Sequence, residues 1–296
     1  MLSLPFQDDT SRVLCGAAIS GGGLLTWLQT MKDGERGAWS VERGAFKKYI
    51  YLSIKPKELL RFRSTLIALR FSEGVIKMQN AWGKGHGAKE NTAEDLDLIF
   101  LHGNAENLQT MALSGIFTQF QTLNAHFLAL DYPGYGRSGG RPSEASLTAA
   151  GMAALDRAET DFPGHPIIMA GWSLGAAAAF QVAARAPERL RGFIALSAGS
   201  SLEDVAKEHF PAWLVHALLR ERYDSLAAAS QITCPALLIH GETDDLIPVT
   251  HGVQLSRQLP NLQRWLAVPH TGHNDLFSRR EVWEALEGFV KQIAST

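Results

Sequence analysis

The chemistry-bearing feature of the chain is Gly171-Trp172-Ser173-Leu174-Gly175, which has the form G-x-S-x-G. An apolar run, Pro166 to Ala170, precedes it and an Ala-rich stretch reaching Ala186 follows it. A serine in a tight strand-to-helix turn projects its hydroxyl out of the turn, and glycines on either side remove Cβ atoms that would clash in the bend. The N-terminus of the following helix adds positive potential and free N–H groups where negative charge would develop. This context makes Ser173 a candidate nucleophile. A serine hydroxyl is inert at neutral pH unless a base takes its proton, and the base needs an orienting acid.

Two later segments supply those groups in the order Ser, acid, His. The apolar run Ala236 to His240 leads into Gly241-Glu242-Thr243-Asp244-Asp245-Leu246-Ile247-Pro248, offering Asp244 and Asp245. Trp265 to Val268 leads into Pro269-His270-Thr271-Gly272-His273-Asn274-Asp275, offering His270 and His273. If each apolar run is a strand of one parallel sheet, all three loops meet at its C-terminal edge, where open α/β sheets place their sites.

The elements that must position these loops alternate along the chain with short links, the pattern of a parallel sheet covered on both faces. Strands are expected at Val75 to Trp82, Leu96 to Leu101, Ala125 to Leu130, Pro166 to Ala170, Gly192 to Ser197, Pro235 to His240 and Gln263 to Val268. Helices are expected over Ala105 to Gln121, from Ser143 as N-cap to about Thr160, after Ser173, near Thr250 and from Arg280. The fold class is therefore α/β, with a mainly parallel central sheet flanked by helices.

Composition agrees with a soluble globular chain: 296 residues, 46% apolar, 20% charged. Lys plus Arg is 28 against Asp plus Glu at 30, so no global positive field exists to hold nucleic acid. Cys15 and Cys234 cannot build a disulfide framework, and a cytoplasmic location is expected. Gly134-Tyr135-Gly136-Arg137-Ser138-Gly139 satisfies G-x-G-x-x-G, but Gly140-Arg141-Pro142 prolongs the loop where a dinucleotide site needs an immediate helix. His270 and His273 lack the H-E-x-x-H or cysteine context of zinc, so neither a metal nor an organic cofactor is expected.

With these motifs in view, the sequence resembles the α/β-hydrolase superfamily from about Gly74 onward, and within it the small, lid-poor, bud-emergence-type serine hydrolases related to prolyl oligopeptidases. The resemblance rests on Leu101-His102-Gly103-Asn104-Ala105-Glu106-Asn107, Asp131-Tyr132-Pro133-Gly134-Tyr135-Gly136-Arg137-Ser138, GWSLG, His240 through Pro248, and Gly272-His273-Asn274-Asp275. It implies Asp244 as the acid rather than Asp245, and His273 as the base. It also implies backbone N–H donors of an oxyanion hole at Asn104 and Leu174, with His102 structural. One departure is Glu73-Gly74, where the family has Asp-Gly.

The implied activity is hydrolysis of a carboxylic ester or thioester through a Ser-His-Asp triad and an acyl-enzyme. Two alternatives stay open: an acyl-protein thioesterase or peptidase of the same fold, and a non-catalytic binding module. The partner expected is a small-molecule or lipid-like acyl substrate. In the short insert between Ala198 and Cys234, Phe210, Trp213 and Leu214, with Leu218 and Leu219, are candidates to line an acyl pocket. No oligomeric state follows from the sequence.

Residues 1–44 are expected to be an extension, and 45–296 the hydrolase domain. The 19 residues from Val13 to Met31 carry no charge, but Gly16, Gly21, Gly22, Gly23 and several polar side chains dilute their apolarity. Membrane association through residues 13–31 is the alternative, not the favoured reading. Between Arg43 and Arg70 eight basic residues face only Glu58, which suits charged edge strands that resist sheet-to-sheet pairing.

Overall fold

The computed structural model describes residues 75–78 and 96–296. The expectations for residues 1–44, for the charge-free run and for the basic stretch before Arg70 lie outside the described residues.

Among the described residues, seven strands form one sheet in the spatial order β1-β3-β2-β4-β5-β6-β7. They are β1 (Val75–Met78), β2 (Asp97–Leu101), β3 (His126–Leu130), β4 (Ile167–Trp172), β5 (Gly192–Leu196), β6 (Ala236–Gly241) and β7 (Leu262–Val268). Only β1 runs antiparallel, against β3; the other six strands are mutually parallel. Every residue of β2, β4, β5 and β6 is buried, which is why they read as unbroken apolar runs rather than alternating ones. The edge strand β7 is different: Gln263 and Arg264 are exposed.

Helices cover both faces. They are α1 (Leu108–Leu113), α2 (Ile116–Phe120), α3 (Glu144–Asp161), α4 (Leu174–Arg185), α5 (Leu202–His209), α6 (Ala212–Leu218), α7 (Ser225–Ala229), α8 (Val249–Gln258) and α9 (Arg280–Ala294). On one face α3, α4 and α8 pack Leu155, Phe180 and Leu255 against Met169 and Leu238. On the other, an aromatic group of Phe100, Phe120, Phe127 and Phe277 fills the space under α2 and α9. Helix α9 contributes Val282, Ala285, Leu286, Phe289, Val290 and Ile293, the three-and-four spacing of an amphipathic helix.

The structure has the expected fold class. One expected element divides: Ala105 to Gln121 is not one helix but α1 and α2. Gly115 stands between them at φ 80°, in the left-handed region that ends a helix. The α1 cap is local, with Asn107 accepting from the Gln109 and Thr110 N–H groups. Ser143 caps α3 as expected. The segment between β5 and β6 is a short helical insert, α5 to α7. Among the described residues, no helix is long and apolar enough to cross a membrane.

Candidate active site

Ser173 occupies the turn between β4 and α4 with φ 57° and ψ −120°, a backbone strained for a residue with a Cβ. Its N–H donates to the Leu196 carbonyl at 2.9 Å, which ties the turn to the end of β5. The glycines on either side are required by contact. A Cβ on Gly171 would strike the Gly175 carbonyl, and one on Gly175 would strike the Leu101 carbonyl.

The loop after β7 brings His273 to this serine. His273 Nε2 lies 2.9 Å from Ser173 Oγ, and His273 Nδ1 lies 2.7 Å from Asp244 Oδ2. All three residues are buried, while Asp245 and His270 are exposed. The His270 carbonyl accepts from Arg279, so its loop is fixed with that ring turned to the surface. The Trp172 ring stacks on His273 at 5.7 Å between centroids and limits its orientation.

Asp244 is held on both oxygens. Its Oδ1 accepts from the N–H groups of Leu246 at 3.1 Å and Ile247 at 2.8 Å. Beside Oδ2, at 3.4 Å, stands Nε2 of the buried His240, which also donates to the Ile247 carbonyl at 2.8 Å. Burial alone would push the Asp244 carboxyl up. Hydrogen bonds from His240 and His273, the nearby His273 charge and the Ile247 N–H outweigh it and hold the carboxyl well below the usual carboxylate range. An ionised acid beside the imidazole fixes the tautomer with Nε2 facing Ser173. His240 had no assigned role from sequence; its place at the end of β6, four residues before Asp244, is the signal that could have found it.

Asn104 and Leu174 both border the space in front of Ser173. Leu174 is the first residue of α4, whose N–H has no partner within the helix. The Asn104 loop is braced from behind. Tyr135 Oη donates to Asn104 Oδ1 at 2.7 Å, and Tyr132 Oη donates to the His102 carbonyl at 2.9 Å. His102 is buried, donates from Nδ1 to the Gly103 carbonyl at 2.9 Å and sits 3.5 Å from Asp131. That is a structural place within its loop.

A cavity of about 300 Å³ opens beside Ser173, walled by Leu174, Ala177, Leu202, Val205, Tyr223 and Ile247. The insert does line it, but through other residues than expected. Phe210 and Trp213 are 54% and 72% exposed, and neither they nor Leu214 border the cavity. Pro211 starts a new short helix, α6, which turns these side chains outward, whereas α5 presents Leu202 and Val205 inward. Tyr223 is locked by Glu144 at the start of α3, whose Oε2 accepts from the Arg222 and Tyr223 N–H groups at 3.0 and 2.9 Å. That clamp holds Tyr223 at φ 42° with its ring buried.

The glycine-rich loop after β3 does not open a helix; α3 begins only at Glu144. The Cys234 thiol is buried and its pKa is pushed up to about 11, so it is a packing residue rather than a nucleophile. Among the described residues, one group of two histidines and a carboxylate brings its candidate ligand atoms within 4.8 Å of one another: Asp97, His126 and His165, at the opposite end of the sheet.

The chain is similar to known proteins at three levels. Residues 93–220 match the profile of a family described as serine aminopeptidase, S33. The alpha/beta hydrolase domain-containing protein aho-3 of Caenorhabditis elegans is 33% identical over 204 residues, 67% of this chain and 58% of that one. The alpha/beta hydrolase domain-containing protein 17C of Xenopus laevis is 31% identical over 200 residues, 65% of this chain and 60% of that one. The chain thus spans about three fifths of the length of these relatives. Among solved structures, Est1E of Butyrivibrio proteoclasticus with ferulic acid bound superposes with a TM-score of 0.58 at 20% identity, covering 70% of this chain and 93% of that one. An esterase of Pyrococcus furiosus gives 0.55 at 18% identity, covering 69% and 83%. At such identities the likeness is one of fold.

Proposed function

The chain belongs to the α/β-hydrolase superfamily, and from that premise we propose that it is a serine hydrolase of carboxylic esters or thioesters, of the small, lid-poor, bud-emergence type. The observation that carries the reading is the pair of contacts on His273, 2.9 Å to Ser173 and 2.7 Å to Asp244, at the mouth of an apolar cavity.

In the proposed reaction His273 Nε2 takes the Ser173 proton as Oγ attacks the substrate carbonyl carbon. The carbonyl oxygen becomes an oxyanion and accepts from the N–H groups of Asn104 and Leu174, each worth roughly 10²–10³ in rate. Asp244 stays ionised and stabilises the imidazolium. The tetrahedral intermediate collapses, the bond to the alcohol or thiol breaks, and His273 protonates that leaving group. Water then attacks the acyl-Ser173 ester with His273 as base, releasing the carboxylic acid and restoring the hydroxyl. These steps use side chains and backbone alone.

The family description raises a second reading, cleavage of a peptide at a free amino terminus. That reaction needs an anionic group to hold the substrate ammonium, and the described residues lining the cavity include no carboxylate. The ester or thioester reading is therefore preferred. Labelling with a fluorophosphonate probe, compared between wild type and Ser173→Ala, tests it, together with turnover of an acyl-ester panel and an aminoacyl amide. Labelling lost in Ser173→Ala with ester turnover supports the proposal. An unlabelled wild-type protein favours a binding module.

A further inference from the structure

At the end of the sheet remote from Ser173, three residues converge from three neighbouring segments. Asp97 opens β2, His126 opens β3 directly opposite it in register, and His165 lies in the loop just before β4. His126 Nδ1 is 3.1 Å from Asp97 Oδ1, and His165 Nδ1 is 3.5 Å from the same oxygen. All three ligand atoms fall within 4.8 Å of one another. The two imidazoles are stacked at 5.3 Å and 20°, and Phe162 stacks on His126 at 4.2 Å, so the rings are held in place.

From this geometry we propose a divalent-metal site of the zinc class, with Asp97, His126 and His165 as ligands and solvent in a fourth position. Zinc bonds to nitrogen and oxygen are about 2.0–2.1 Å long, so neighbouring ligand atoms of a tetrahedral site stand about 3.3 Å apart. The separations of the two histidine nitrogens from Asp97 Oδ1, 3.1 and 3.5 Å, bracket that edge. A second observation points the same way. Asp97 is 2% exposed, and its Oδ2 is buried with no hydrogen-bond partner. An unpartnered buried carboxylate oxygen is costly, and a cation held by both Asp97 oxygens, Oδ1 facing the histidines and Oδ2 beside it, removes that cost. The side chains of His126 and His165 are 24% and 19% exposed, open enough for an ion to enter and for water to complete the shell.

Such an ion would pin the starts of β2 and β3 and the approach to β4. Its distance from Ser173 is about the length of β4, roughly 20 Å at ~3.3 Å per residue, so its effect is on stability rather than on the reacting atoms.

The test titrates the full chain, stripped with chelator and dialysed, with Zn²⁺ alone, reading bound metal by equilibrium dialysis and Tm by circular dichroism. Wild type should bind one ion that His165→Gln and His126→Gln each weaken by more than the roughly 10–100-fold that loss of an outer-shell partner costs. Zn²⁺ should raise the Tm of wild type and leave that of both variants unchanged. Cobalt(II) in place of zinc should give the intense visible bands of a tetrahedral site. His165 lies on a part-exposed loop, so a cooperative melt of that variant keeps the comparison valid if His126→Gln misfolds. No bound zinc, or zinc bound equally by wild type and both variants, overturns the site and leaves Asp97 with a histidine clamp only.

Discussion

The Tyr135 hydroxyl donates to the Asn104 side-chain oxygen at 2.7 Å, joining the loop after β3 to the loop after β2. Asn104 borders the space in front of Ser173, so the bond braces the loop that in the proposed reaction would supply one oxyanion donor, from a side chain outside the reacting atoms. Tyr135→Phe keeps the ring, which packs edge-on to Tyr132 and His102, and removes only the donor. A hydrogen bond of this kind is worth about 1 kcal/mol, so kcat is expected to fall about fivefold with KM little changed. An equal loss appearing in KM instead would place Tyr135 in ground-state binding.

Ser173→Ala should lower turnover by roughly 10⁶ and abolish fluorophosphonate labelling, because the three residues act as a unit. The thermal melt should be retained, since Gly171 and Gly175 still permit the turn. Asp244→Asn should cost roughly 10⁴ by favouring the imidazole tautomer with its proton on Nε2, which cannot act as base toward Ser173. Asp245→Asn, at an exposed position one residue on, should leave most activity. Equal losses in the two aspartate variants would remove Asp244 from the assignment.

Much of this arrangement was legible because buried parallel strands write themselves as apolar runs: Asp97–Leu101, Ile167–Trp172 and Ala236–Gly241 end at the loops that carry Asn104, Ser173 and Asp244. What sequence conceals is direction. Phe210 and Trp213 have the composition of a pocket wall, yet the turn at Pro211 points them to solvent, and Leu202 and Val205 wall the cavity instead. Long-range hydrogen bonds are equally hidden. The Glu144 clamp on Tyr223 joins residues 79 apart, and nothing in either local segment signals it. Gly115 was visible, but a glycine inside an apolar pattern does not reveal whether its φ is positive.

Asp244 is held well below the usual carboxylate range, so it stays ionised far into the acid range. The same shift is a stability statement. A carboxyl whose folded pKa is depressed contributes stability that is fully present above its unfolded value of about 3.9 and lost as pH falls through the folded value. Chemical denaturation between pH 6 and pH 2 should therefore show a stability loss below about pH 4 that is smaller in Asp244→Asn. Identical acid profiles would mean that Asp244 carries no depressed pKa.

Gly175→Ala should destabilise far more than an ordinary Gly-to-Ala change in a helix, which is usually favourable by about 1 kcal/mol. The added methyl would meet the carbonyls of Leu101 and His102, main-chain atoms at the end of the central strand β2 that cannot rotate aside. Gly288→Ala in α9 is the control, because nothing lies within 4 Å of its added methyl. The expected outcome is a large loss of Tm or of soluble yield in the first and none in the second. A Gly175→Ala protein as stable as wild type would show that the turn relaxes freely.

Acyl selectivity should be set by α5 and Tyr223 rather than by α6. The cavity, at about 300 Å³, is at the small end of ligand pockets, so it accepts a limited chain before further carbons remain in water. While carbons enter it, each methylene should raise kcat/KM about fourfold, the equivalent of about 0.8 kcal/mol of burial. The rise should stop once the space between Val205, Leu202 and Tyr223 is filled. Val205→Trp places bulk in that space and should move the optimum toward acetyl and propionyl esters, with little effect on acetyl turnover itself. Trp213→Ala removes a 72% exposed ring outside the cavity and should leave the profile where it was. The two variants assayed side by side on a series of p-nitrophenyl esters decide the matter. A shift in Trp213→Ala with none in Val205→Trp would mean that the acyl chain lies along the outer face of the insert.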